Sequence, residues 1–267
     1  MRPGRLTWAA IALAAAMAAP AAAPAAPPAK PDAAPTPDPS RVLVVLEKAS
    51  ASGALETARQ GIEMAVTRGD PLHPPLGGLL AVLASSPKTA AQEASAAGAG
   101  AILHVRILGL SEDLASLKTN ADVYVPQGGS WQMCHSGDVL VRGTKSGDST
   151  SLSFGELSDK FAAILISKLF PYKVIQMTEV PDRGTAAVEI SVRNPSPHRI
   201  QEMILDVPGK GLKHPAKAAC KQPVAPGEEA TVRFELVSRP ASPLAWQQSV
   251  ISAMNFQPVA APPPAAR

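Results

Sequence analysis

The chain of 267 residues holds little of what most protein chemistry uses. It has two cysteines and five histidines. Zinc sites need Cys-x-x-Cys or closely spaced histidines, and His73, His104, His135, His198 and His214 offer neither, so no metal is expected. Aromatics make up 4% of the chain, too few for a broad aromatic carbohydrate cleft. A net charge of +3 is too small to mark a nucleic-acid binder. No Walker loop or dinucleotide fingerprint follows a strand. Gly98-Ala99-Gly100-Ala101 leads into a strand, whereas a phosphate cradle must lead into a helix. There is no G-x-S-x-G elbow, and the acid pairs Glu112-Asp113 and Glu228-Glu229 sit at loop edges. No catalytic set and no cofactor are therefore expected.

What the chain does have begins at its ends. Arg2 and Arg5 precede an apolar run from Leu6 to Ala19 broken only by Thr7, followed by small residues. That order reads as a secretory signal over residues 1–19. The run is shorter than the roughly 20 residues of a membrane span, so no span is expected after cleavage; an uncleaved anchor is the rival. No cysteine follows to accept a lipid. Residues 20–40 alternate Pro and Ala, which favours an extended tether of about 3.1 Å per residue. Residues 259–267 read as a tail. The expected location is outside the cytoplasm, in a bacterial periplasm or cell envelope.

From 41 to 171 the pattern is α/β. RVLVVLEK and LLAVLAS are continuous apolar runs suited to strands covered on both faces. Between them Leu55, Ala58, Ile62, Ala65 and Val66 share one helical face. AILHVRILGL is a third strand, and ADVYV and GDVLVRGTKSGD are further ones. Ser153 with Glu156 forms a capping box ahead of a helix with Phe154, Leu157, Phe161, Ile164, Leu165 and Leu169 on its buried stripe. The expected order is β-α-β-α-β-β-β-α. With AAGAGAILHVRI entering the third strand, this region resembles the periplasmic α/β domain of curli-secretion lipoproteins, TolB amino-terminal domains and activators of penicillin-binding proteins. The resemblance implies an assembly or interaction module without catalysis.

From 172 to 258 the period becomes two. Val188, Ile190 and Val192 alternate with polar residues, as do Met203, Leu205 and Val207, and Val232, Phe234 and Leu236. Trp246, Val250, Met254 and Phe256 are expected to continue the pattern. A strand that ends in Asn194, and a later Pro226-Gly227-Glu228 ahead of another strand, resemble small immunoglobulin-like accessory domains of bacterial envelope proteins. The expected fold class is α+β in two domains, an α/β module followed by an antiparallel β-sandwich.

SWQMCHSGDVL places Cys134 beside His135 and near Asp138. On a strand, neighbours point to opposite faces, which holds thiol and imidazole apart. A disulfide between Cys134 and Cys220 would lock the two expected domains, with a loop-closure contribution of roughly 4–5 kcal/mol; free or intermolecular thiols are the alternatives. Lys210, Lys213, His214, Lys217 and Lys221 gather without an intervening acid and form a candidate interaction loop for an anionic envelope polymer or an acidic protein face. The expected function is non-catalytic: contacts with an envelope protein or polymer, in assembly or regulation. Two rivals are a thiol or hydrolytic enzyme around Cys134, His135 and Asp138, and a glycan binder using Trp131 or Trp246.

Overall fold

Val42, Leu43, Val44 and Val45 are all buried, which requires cover on both faces of their strand. The computed structural model describes residues 35–47, 53–69, 73–111, 115–146, 149–180, 185–212, 214–236 and 243–258. The expected signal, most of the tether, Lys213 and the tail lie outside them. Strand β1 (Asp38–Leu46) runs between β2 (Leu80–Leu83) and β3 (Ala99–Leu110), parallel to both. β4 (Ser116–Gln127) and β5 (Ser130–Arg142) extend the sheet antiparallel, giving the order β2-β1-β3-β4-β5. The residues expected to end the tether are in part structural, because Asp38–Ser40 already belong to β1.

Helices close the two faces unequally. Val42 and Val44 meet α1 (Gly53–Thr67) through Ala58, Ile62 and Val66, and α3 (Phe154–Leu169) through Phe161 and Leu165. Leu43 and Val45 meet only the short α2 (Ala90–Ala96) through Ala90 and Ala94. The Ser153 half of the expected capping box is formed: Glu156 N–H donates to Ser153 Oγ at 3.2 Å. Between β5 and α3 lies a hairpin of β6 (Thr144–Ser146) and β7 (Ser149–Ser151).

The second sheet joins β8 (Tyr172–Val180), β9 (Thr185–Arg193), β10 (Arg199–Val207), β11 (Ala216–Cys220), β12 (Glu229–Leu236) and β13 (Val250–Gln257). Its order is β13-β10-β11-β12-β9-β8, all antiparallel. In place of two separately bonded sheets there is one, because β11 pairs with β10 along its length and with β12 at Ala218 and Ala219. Alternation puts Val188, Ile190, Val232, Phe234, Met203 and Leu205 inside. On β13 the expected alternation fails: Ile251, Ser252, Ala253 and Met254 are all buried, while Val250 is exposed. The cause is that β13 packs against both its own sheet and α3.

The expected boundary at 171/172 separates two sheets but not two cores. One cluster of buried residues runs from Val42 through Phe161 to Phe234, and the described residues fall in a single compact unit. A 3-10 turn at Pro75–Gly78 is wedged into the junction. A Cβ on Gly77 (φ 63°) would stand 2.6 Å from both Ala162 Cβ and the Ser252 carbonyl oxygen. Leu76 is fully buried with φ 43°, a strained value for leucine. Ser158 Oγ holds it by accepting its N–H at 3.0 Å. A polar clasp adds to the joint: His198 Nε2 lies 3.0 Å from Asp38 Oδ2.

Candidate functional site

Cys134 sits in a β-bulge. The β4–β5 register passes from Val123↔His135 to Tyr124↔Met133, leaving Cys134 as the extra residue on an edge strand. Its thiol is free and exposed, and partial desolvation pushes its pKa up, against the pull of the Lys168 charge. A nucleophile needs the opposite shift and a base within reach. Among the described residues no hydrogen bond joins Cys134 Sγ to an imidazole or carboxylate. Asp138 is committed elsewhere: Lys118 Nζ lies 2.7 Å from it and Asn120 donates at 3.4 Å, and the Lys118 contact holds its carboxyl low. Cys134, His135 and Asp138 are not brought together.

The disulfide is not formed either. Cys220 is buried on β11 in the core of the second sheet, and its thiol is free. A side chain locked there cannot turn to meet an exposed bulge on the first sheet. The tryptophans are also occupied. Trp131 Nε1 donates to Ser95 Oγ at 3.2 Å, and half-buried Trp246 packs on the core.

The lysine-rich loop divides. Lys217 reaches Asp159 of α3 at 3.4 Å, and His214 lies 3.6 Å from Glu156. Lys210 stays exposed at a turn, and Lys221 lies exposed at the far end of β11. Lys213 is outside the described residues. The part that faces α3 forms one wall of a groove of about 1090 Å³. Helical spacing builds the opposite wall: Glu156, Asp159, Lys160 and Ala163 fall on one face of α3, while Leu157, Phe161 and Leu165 turn to the core. The end of β5 contributes Leu140 and Arg142, and Lys160 Nζ donates to the Leu140 carbonyl at 2.5 Å.

Asp206, at the end of β10, lines the same groove. Alternation turns Leu205 and Val207 into the core and Asp206 away from it. Burial pushes its carboxyl pKa up, opposed by the charge of Lys217 and a hydrogen bond from Ser252. Asp159 holds two nitrogen groups, His73 Nδ1 at 2.7 Å and Lys217 Nζ at 3.4 Å. The sequence offered Lys217 and His214 but not Asp206, Asp159 or His73, which lie far apart along the chain.

No protein-family model and no curated protein sequence matches this chain. The site therefore rests on its own geometry. A second groove of about 720 Å³ lies between α1 and β2. Among its charged groups, Arg59 pairs with Glu56 at 2.8 Å and Glu63 at 3.1 Å. The groove along α3 keeps unspent polar capacity and is the better candidate. It can hold a polar chain segment, and it presents no activated nucleophile. Among the described residues, no group of three metal-ligating side chains is gathered, and no helix is long and apolar enough to cross a membrane.

Proposed function

We propose that this chain is a non-catalytic, exported cell-envelope protein that works by holding a protein or envelope polymer in the groove along α3. In this reading residues 41–171 are the interaction module, and the second sheet is an accessory body that completes the groove. Export is supported by Arg2, Arg5 and the apolar run to Ala19. The observation that carries the proposal is the groove itself, where the β10–β11 loop faces the charged side of α3 across about 1090 Å³. Arg142, in that lining, makes no ion pair among the described residues.

The test is site-specific photo-crosslinking in native envelope. A photo-reactive residue at Leu212 should give a discrete adduct that weakens between about 50 mM and 500 mM salt, and one at Met64 should not. Adducts from Met64 and none from Leu212 would move the binding surface elsewhere. Cys134→Ser should leave the adduct unchanged; a thiol enzyme would instead lose turnover.

A further inference from the structure

Among the described residues, four buried side-chain nitrogen or oxygen atoms have no hydrogen-bond partner: His104 Nε2, Arg106 Nε, Asp122 Oδ1 and Asp206 Oδ1. The first three belong to groups whose charge is answered. Arg106 Nη2 lies 2.9 Å from Asp122 Oδ2, and His104 Nε2 lies 3.0 Å from Glu47 Oε1 although out of line for a hydrogen bond. Among the described residues Asp206 makes no ion pair. The nearby His73 and Lys217 are both bonded to Asp159. A desolvated carboxylate oxygen without a donor works against the fold, and an apolar residue at the same place would not. Such a group in the lining of a groove marks a binding point.

We infer that Asp206 is the recognition point of the groove and receives the ammonium or guanidinium of a lysine or arginine side chain from a polypeptide partner. This rests on the groove being the binding surface. Ser252 already satisfies part of the carboxyl, so the free oxygen sets the ligand as a donor, and a carboxyl whose nearby ammonium, Lys217, is bonded to Asp159 favours a cationic one. Asp206 is only half-buried and lines the groove, so a donor can approach its carboxyl from there. A polypeptide fits the remainder of the site. The groove exceeds the roughly 300–1,000 Å³ of small-molecule pockets and mixes apolar Leu140, Leu212 and Val250 with charged groups. Arg142 at one side is free to take an acidic neighbour of the basic residue. The chain as a whole carries a net charge of +3, so general electrostatics disfavour a cation and attraction must come from the local site.

The experiment is an NMR titration of the full chain with n-butylammonium and n-butylguanidinium, following the Asp206 carboxyl and the Leu212 and Val250 methyl groups. Neutral n-butanol and anionic butyrate serve as controls. Saturable shifts at these groups are expected for the cations, at least tenfold tighter than for n-butanol and absent in Asp206→Asn. Asp206→Asn should melt no lower than the parent, because it removes an uncompensated charge. Equal affinity for butylammonium in Asp206→Asn, or butanol binding as tightly as the amine, overturns the inference. So does a clear fall in melting temperature for that variant, which would make Asp206 a structural residue. The two readings fail separately. Loss of the Leu212 crosslink in favour of Met64 removes the groove, whereas a Leu212 crosslink unchanged by Asp206→Asn keeps the groove and removes the recognition of a basic side chain.

Discussion

Asn194 is fully buried at the end of β9. Its side-chain amide ties two turns that are distant in sequence. Nδ2 donates to the carbonyls of His198 (2.8 Å), Val224 (3.0 Å) and Ala225 (3.2 Å). Oδ1 accepts from Ser196 N–H at 3.1 Å and Ser196 Oγ–H at 2.7 Å. Two amide hydrogens serve three carbonyls, so one is shared, leaving the equivalent of about four bonds at roughly 1 kcal/mol each. Asn194→Ala should therefore cost about 4 kcal/mol, which for a body of this size lowers the melting temperature by roughly 8–16 °C. Asn194→Asp should cost at least as much at neutral pH, since a carboxylate cannot donate to three carbonyls. It should recover in part as acid restores one O–H. Urea unfolding with a shared m-value measures both. A loss below about 1 kcal/mol for Asn194→Ala would refute the reasoning, because the turns would then be set by the strands alone.

Asp206→Asn should gain roughly 1–3 kcal/mol at neutral pH. Burial raises the folded carboxyl pKa, so its stabilising contribution is complete only below the unfolded value of about 3.9 and is lost as pH rises through the folded one. Urea melts of both chains should accordingly converge toward pH 3–4, and a gap independent of pH would count against the assignment. Ser153→Ala removes the acceptor for Glu156 N–H and should cost about 1 kcal/mol in the same assay; no change would mean that packing alone holds the start of α3. Gly77→Ala forces a Cβ against Ala162 and Ser252 at a positive φ and should cost at least 1–3 kcal/mol, with an unaltered thermal melt as the contrary result. A thiol reagent should titrate Cys134 alone in the native chain and Cys220 only after denaturant; two native thiols, or none, would contradict the placement.

Local patterns were legible where one force dominated. The face Ala58-Ile62-Val66, the Ser153 cap on Glu156 N–H, and the alternation through Val188, Ile190 and Val192 are all present. The two markers of the later region also prove to be bonded to each other: Gly227 N–H donates to the Asn194 carbonyl at 2.7 Å, and Asn194 N–H donates to the Glu228 carbonyl at 2.9 Å. What sequence reading missed depends on contacts between distant segments. β13 was read as half-exposed because period two says nothing of a helix on its other face. The change of period at 171/172 reads as a boundary, yet Phe170 is fully buried and its ring centre lies 5.4 Å from that of Phe256. His104 belongs to the face of β3 opposite Leu103 and Val105, beside Glu47. The groove was legible only through Lys217 and His214, since Asp159 and Asp206 look like ordinary surface acids until α3 and β10 meet.

The position of β1 has a mechanical consequence. The chain enters the body at Asp38, and β1 is held along both sides by parallel neighbours. Tension on the preceding segment would load those two ladders in shear, many bonds at once, and could not peel a strand from an edge. Asp38 is also clasped to His198 of the second sheet, so the same pull would be shared by both halves. A body suspended by its amino-terminal segment is thus hung from its middle.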